Sequence, residues 1–392
     1  MKTCQVLLKP GREKSVRAFH PWIFSGAIDR LDSELGKGDL VKVYSSAEEF
    51  LGIGYLNPLS QIAVRILSFR DEAIDAAFFV RRMEQAKKLR QSFVASDTNA
   101  YRCVHSEGDF LPGLIIDRYG DWLVAQFLTA GMDRLKLVAV EAAEKVFQPK
   151  GIFERDDAHA RRLEGLEHRP QTLSGAQPPS EIEIEEYGNK FWVDVKRGQK
   201  TGFFLDQREN RKLIAPHAQG KRVLDCFAYS GAFSIYAARS GAASVTAVES
   251  QAPAVKILEA NLKLNGLNGE VCRVHCEDVF DFLRKDTGTY DLIILDPPAF
   301  CKHKGQIHEA ARGYKDINLN AIKRLAPGGI LLTSSCSSFI GADVFQKIVF
   351  GAARDAGREV QILQKTSHAF DHPINIYHPE GEYLKGLLLK VW

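Results

Sequence analysis

Val223-Leu-Asp-Cys-Phe-Ala-Tyr-Ser-Gly-Ala-Phe-Ser234 decides how the second half of this chain folds. It is an apolar strand ending in an acid, then a tight loop of small residues, then the start of a helix. Open α/β sheets are built from such units. Outward from it, Ser244–Glu249, Tyr290–Asp296 and Gly329–Ser334 are the strongest further strands, with helix candidates at 232–240, 253–265 and 315–325 between them. Apolar strands alternating with helical patterns predict an α/β domain with a doubly wound parallel sheet. The loop after Val223–Phe227 lacks G-x-G-x-x-G, which argues against a dinucleotide.

Ligands of such sheets lie at the carboxyl ends of the strands. Gly231 lets the backbone come close to a ligand, Phe227 and Ala228 line the same loop, and Asp225 can hold a cationic amino group. Glu249 closes the next strand at a spacing suited to an acid that accepts ribose hydroxyls. Asp278, after a strand candidate at Val271–Val274, can meet an adenine amino group beside Glu277. Alone, each acid is as readily a helix cap or a solvated loop residue. In this order, at successive strand ends, they predict an adenosyl ligand carrying a cationic amino acid, S-adenosyl-L-methionine.

Strand Leu292–Leu295 runs into Asp296-Pro297-Pro298-Ala299-Phe300. Prolines fix the chain after the strand, so Asp296 is held toward the pocket, and Phe300 offers a face to a planar base. The bland alternative is a strand-ending turn with a core Phe. One crossover later, Thr333-Ser-Ser-Cys336-Ser-Ser338 brings a thiol to the same end of the sheet. Methylating carbon 5 of a pyrimidine needs a nucleophile at carbon 6, which Cys336 can supply. Otherwise it is an inert Cys shaping a pocket. Cys301, next to Phe300, is the rival nucleophile, and Cys226 reads as core.

The chain has 392 residues, 45% of them apolar, enough for two or three domains. Lys and Arg number 52 against 49 Asp and Glu, a net charge of +3, too small for a generic polyanion binder. A local concentration at Lys2, Lys9, Arg12, Lys14, Arg17 and Arg30 can meet phosphates or be a solvated face. No apolar window suits a membrane span or a signal peptide, so the expected location is the cytoplasm. Seven irregularly spaced cysteines suggest reduced thiols, no disulfide framework and no metal site.

Residues 1–73 read as a small β-rich module whose turns include Gly36-Lys37-Gly38-Asp39, Gly52-Ile53-Gly54 and Asn57-Pro58. Residues 74–185 read as an α+β unit with a helix at 74–94, strands near Arg102–Val104, Leu114–Asp117 and Trp122–Leu128, and a helix at Asp133–Phe147. A polar surface loop is expected at His168–Ser180, then a hairpin turning at Gly188-Asn189. Residues 186–392 hold the α/β domain.

On these residues the chain resembles, over nearly its full length, the bacterial 23S rRNA large-subunit methyltransferase I family, which makes 5-methylcytidine. Lys9-Pro-Gly-Arg-Glu-Lys-Ser-Val-Arg17 with His20-Pro-Trp-Ile-Phe-Ser25-Gly26 is similar to the start of its PUA domain, an RNA-binding β-barrel. Gly113-Leu-Ile-Ile-Asp117-Arg-Tyr-Gly120 and Arg197-Gly-Gln-Lys-Thr-Gly202-Phe-Phe-Leu-Asp206-Gln-Arg208 resemble further motifs. The resemblance implies a PUA-like domain, a small α+β domain and a Rossmann-like methyltransferase domain. It implies Thr201, Phe203 and Asp206 on the cofactor side, and Lys9, Arg12, Arg17, Trp22 and Arg208 on 23S rRNA. Catalysis would fall to Cys336, Asp296, Pro297 and Phe300. A homodimer is permitted.

Many cytosine-5 RNA methyltransferases set a Cys directly after Asp-x-Pro, whereas here Pro298 and Ala299 precede Cys301. Two other readings stay open: an RNA base N-methyltransferase using the Asp-Pro-Pro turn to hold an exocyclic amine, with Cys336 inert, and a non-catalytic RNA-binding factor.

Overall fold

A computed structural model describes residues 4–32, 35–156, 158–167 and 169–392; Lys2 and His168 lie outside the described residues. The chain divides into two compact units, Met1–Ile184 with Val193–Leu205 and Phe370–Gly381, and Glu185–Trp192 with Asp206–Ala369 and Glu382–Trp392.

In the first unit, β1 (Cys4–Leu8), helix α1 (Lys14–Arg17), β2 (Trp22–Phe24), β3 (Ile28–Leu31), β4 (Leu40–Tyr44), β5 (Phe50–Leu56) and β6 (Ile62–Ser68) come first. Their sheet runs β2-β6-β5-β4-β1-β3. Alternation sends Val6, Leu8, Val41 and Val43 into one core. Gly52 and Gly54, expected in a turn, lie inside β5. A Cβ on Gly54 would stand 2.2 Å from the Arg65 carbonyl oxygen of β6, so these glycines admit a close neighbouring backbone rather than a reversal.

Next come α2 (Ala76–Phe93), β7 (Ala100–His105), β8 (Leu114–Tyr119), β9 (Trp122–Phe127), α3 (Ala130–Arg134), α4 (Lys136–Phe147), β10 (Gly151–Glu154), α5 (Ala158–Leu163) and β11 (Gln171–Gly175), whose sheet runs β11-β10-β9-β8-β7. The Asp75 carboxylate caps α2 by accepting from the Phe78 N–H at 3.0 Å. The helix expected at Asp133–Phe147 is two, because Leu135 leaves helical geometry between α3 and α4. The loop expected across 168–180 contains β11, paired antiparallel to β10. Its side chains are mostly exposed, so backbone bonding makes a strand with no alternation to read.

The second unit holds the tip of a hairpin, β12 (Ile182–Glu186) and β13 (Asn189–Val193). It turns at Tyr187-Gly188, both at positive φ, one residue before the expected place. Then follow α6 (Arg208–Ile214), β14 (Arg222–Cys226), α7 (Ala232–Arg239), β15 (Ser244–Val248), α8 (Ala252–Leu264), β16 (Cys272–His275), α9 (Val279–Lys285), β17 (Tyr290–Leu295), α10 (Ile307–Arg324), β18 (Leu325–Ser335), α11 (Ala342–Ala356), β19 (Val360–Thr366) and β20 (Lys385–Val391). The sheet runs β16-β15-β14-β17-β18-β20-β19.

The first five of these neighbours are parallel, as expected, but β20 is antiparallel to both β18 and β19. The order reverses between β14 and β17, which opens a crevice at their carboxyl ends. Helix α10 begins before the expected 315 because its first turns bury little beyond Ala310 and Tyr314 and so lack an apolar stripe. Among the described residues no helix is long and apolar enough to cross a membrane.

Candidate active site

Asp225, the penultimate residue of β14, is fully buried. The Ser234 hydroxyl donates to its Oδ2 at 2.6 Å, and Oδ1 has no partner among the described residues. Burial pushes its carboxyl up to about 7, opposed by the Ser234 hydrogen bond and reinforced by the nearby charges of Asp296 and Glu249. An orphaned buried carboxylate oxygen calls for a cationic partner.

Past β14 the chain turns through positive φ at Phe227, Tyr229 and Gly231. A Cβ at Gly231 would lie 2.6 Å from Leu258 Cγ, so only glycine fits. The Ala228 N–H donates to the Val248 carbonyl at 3.1 Å, tying this loop to β15. Glu249 accepts from the Tyr229 N–H at 3.0 Å and the Gln251 N–H at 2.7 Å, which fixes the carboxylate beside the same loop. Asp225, Phe227, Ala228, Gly231 and Glu249 therefore come together. Asp278 is exposed and caps α9, its Oδ1 accepting from the Phe280 and Asp281 N–H groups at 2.9 and 3.2 Å. That cap explains its place without a ligand.

Across the switch point, Asp296 Oδ1 accepts from the Gln207 side-chain amide at 2.6 Å. Pro297 is buried, and its carbonyl accepts from the Cys336 thiol at 3.8 Å. Half-buried Cys336 follows β18, whose Thr333 pairs with Leu295, so the thiol and the Asp-Pro turn leave adjacent strands together. Phe300 is half-buried against Tyr314, with ring centroids 4.6 Å apart, and Phe280 at 5.7 Å. Cys301 is buried and donates to the His303 carbonyl at 3.3 Å. Cys226 is core, and burial drives its thiol far above the ordinary range.

Sequence reasoning missed two groups here. Gln207 lies inside the quoted Arg197–Arg208 stretch, but only the fold aims its amide at Asp296. Lys385 enters the apolar run of β20, and a cation there is a signal that could have been read; it is buried and donates to the Ser337 carbonyl at 2.6 Å and the Tyr383 carbonyl at 2.9 Å.

Of the other expected residues, Asp206 and Arg208 belong to this unit. Asp206 is buried and accepts from the Tyr383 hydroxyl at 2.7 Å. Arg208 has no exposed surface and pairs with Glu209 at 3.3 Å, so it has no face open to a phosphate. Thr201 and Phe203 belong to the first unit, where the Thr201 hydroxyl donates to Asp117 at 2.5 Å and Phe203 is core.

The first unit also carries the basic cluster. Exposed Arg12 lines a surface cavity of about 390 Å³ with Lys14, Trp22 and Phe24. Lys9 donates to the Gly26 carbonyl at 3.2 Å, and Arg17 pairs with Glu49 on the surface. The Trp22 indole N–H donates to Glu107 at 2.8 Å, and its ring lies 4.3 Å from that of His378.

Two family descriptions match the chain: a PUA-like domain over residues 6–69 and an S-adenosylmethionine-dependent methyltransferase over 159–369. Ribosomal RNA large subunit methyltransferase I of Shewanella denitrificans is 46% identical over 396 residues, covering 99% of each chain. That of Pseudoalteromonas atlantica is 45% identical over 392 residues, again 99% of each. A solved structure from Streptococcus mutans, provisionally assigned as a SAM-dependent methyltransferase, superposes with TM-score 0.84 at 25% identity, covering 98% of this chain and 99% of that one. Another, provisionally assigned as a methyltransferase and complexed with SAH, gives 0.86 at the same identity and coverage.

Proposed function

The chain belongs to the ribosomal RNA large subunit methyltransferase I family, whose members use S-adenosyl-L-methionine, and we propose that it methylates carbon 5 of a cytidine in 23S rRNA through a covalent bond from Cys336. The observation that carries the reaction type is the Cys336 thiol on the Pro297 carbonyl, beside Asp296. A planar base entering the crevice would meet an acid and a thiol together.

When bound, the cofactor supplies an electrophilic methyl group on a sulfonium. Asp225 and Glu249 fit its amino group and ribose, and Asp278 Oδ2, which its cap leaves aside, fits the adenine amine. Thr201, Phe203 and Asp206 shape the loop before β14.

The Cys336 thiolate adds to carbon 6 of the flipped-out base, and the carbon 5–carbon 6 π pair moves into the ring. Asp296, steadied by Gln207, gives a proton to nitrogen 3 as charge collects there. Pro297 holds that turn, and Phe300 borders the base. Once carbon 5 carries the methyl group, its proton passes to water, the C5–H pair re-forms the carbon 5–carbon 6 double bond, the C6–S pair leaves on Cys336 as thiolate, and nitrogen 3 returns its proton to Asp296.

Flipping costs a few kcal/mol, which RNA contacts at Lys9, Arg12, Arg17 and Trp22 would offset. Residues 1–73, 74–185 and 186–392 serve as PUA-like, middle and methyltransferase domains of a cytoplasmic enzyme.

The test is mass spectrometry of nucleosides from unmodified rRNA incubated with the protein and methyl-labelled cofactor. Labelled 5-methylcytidine is expected. An N-methylated base would overturn the covalent mechanism.

A further inference from the structure

Lys385 is about 5% exposed and has no carboxylate within ion-pairing distance among the described residues. Its ammonium donates to two carbonyls, those of Ser337 and Tyr383, leaving one of its three N–H groups without a described acceptor. A buried lysine without an anion is costly, and burial lowers its proton affinity. Something must compensate it in the working state.

Its place in the sheet says what. Lys385 pairs with Ser335 where β20 meets β18, and it reaches along that strand's end to the carbonyl of Ser337, the residue after Cys336. Of the groups whose negative charge would favour the ammonium, the Cys336 sulfur weighs most, ahead of exposed Glu382. Near the thiol lie the Asp296-Pro297 turn after β17, Tyr314 on α10, Cys301, whose N–H donates to the Ser337 hydroxyl at 3.1 Å, and Lys385 itself. Tyr314 bonds the Ser337 hydroxyl at 2.9 Å. Among these, Lys385 is the cation.

We infer that Lys385 is a positioning residue whose buried charge holds Cys336 as the thiolate. The S–H bond breaks with its electron pair left on sulfur, the proton passes to water, and Lys385 keeps all three of its protons. This rests on Cys336 being the nucleophile proposed above. On addition to carbon 6 the sulfur pair becomes the new bond, and on elimination the thiolate re-forms beside the same ammonium.

The experiment is alkylation of the full chain with iodoacetamide across pH, read at each cysteine by mass spectrometry, for wild type, Lys385→Met and Lys385→Arg. Exposed Cys276 is the internal reference. Lys385→Met should raise the pH of half-maximal Cys336 alkylation by about one unit and slow it about tenfold at neutral pH, leaving Cys276 unchanged. Lys385→Arg should restore much of the rate. Retained binding of S-adenosyl-L-homocysteine certifies folding in each variant. If Lys385→Met binds that ligand and Cys336 titrates as in wild type, the inference falls. Because the readout needs no RNA, an N-methylated product would sink the cytosine-5 proposal while an alkylation shift would still establish the Lys385–Cys336 pair.

Discussion

One end of the second unit's sheet carries two sites of opposite electrical demand. At β14 and β15, Asp225 and Glu249 concentrate negative charge, and burial leaves Asp225 with an oxygen unsatisfied. At β18 and β20 the uncompensated charge is positive, on Lys385. The first arrangement is finished by adding a cation, the second by creating an anion. A sulfonium methyl donor and, on the mechanism proposed above, a Cys336 thiolate have those charges. The difference teaches that an incomplete charge in a buried site describes the species that completes it.

The comparison can be broken by variants that act on one side only. Cys336→Ala should lower methyl transfer by about three orders of magnitude or more in a labelled-methyl assay, while calorimetry finds S-adenosyl-L-homocysteine binding unchanged. Loss of binding as well would mean that the two sites are not separable. Asp225→Asn should do the reverse first, weakening ligand binding by roughly 10- to 100-fold, the worth of a charge-assisted hydrogen bond of about 1.5–3 kcal/mol.

A pH series sharpens the same point. Asp225 titrates near 7 in the ligand-free fold, so below that pH it is protonated and offers no charge to a cationic amino group. Affinity should therefore fall by up to about tenfold per unit as pH drops below about 7, and Asp225→Asn should flatten the profile. The smallest effect belongs to Asp278. Its capping bonds predict that Asp278→Ala loses about 1 kcal/mol of thermal stability, measured by calorimetry, with Asp278→Asn nearly neutral.

The acidic side was legible because it is local: strand, loop and helix lie within a dozen residues, and Asp225 and Glu249 lie at the ends of consecutive strands. The places of Asp296 and Cys336 were legible because each directly follows an apolar strand, β17 and β18. Lys385 was not, since it reaches Ser337 across 48 residues of chain by way of an antiparallel strand that breaks the parallel pattern. Gly52 and Gly54 were misplaced because glycine marks either a reversal or a close backbone, and the letter does not say which. β11 hid behind exposed side chains, and the true start of α10 behind turns with little to bury. Arg208 looked like a surface cation in sequence, yet its side chain is enclosed.

The sheet order also sets a sequence of events in time. β20 follows β19 along the chain yet lies between β18 and β19, so β19 has no neighbour in the sheet until β20 has inserted. Such long-range closure is a late, slow step of folding. The Lys385 ammonium reaches the Ser337 carbonyl, one residue past Cys336, in that step. If Lys385 activates Cys336 as inferred above, a newly made chain would keep that sulfur electrically quiet until the last gap in the sheet is filled, and its reactivity would report that folding is complete.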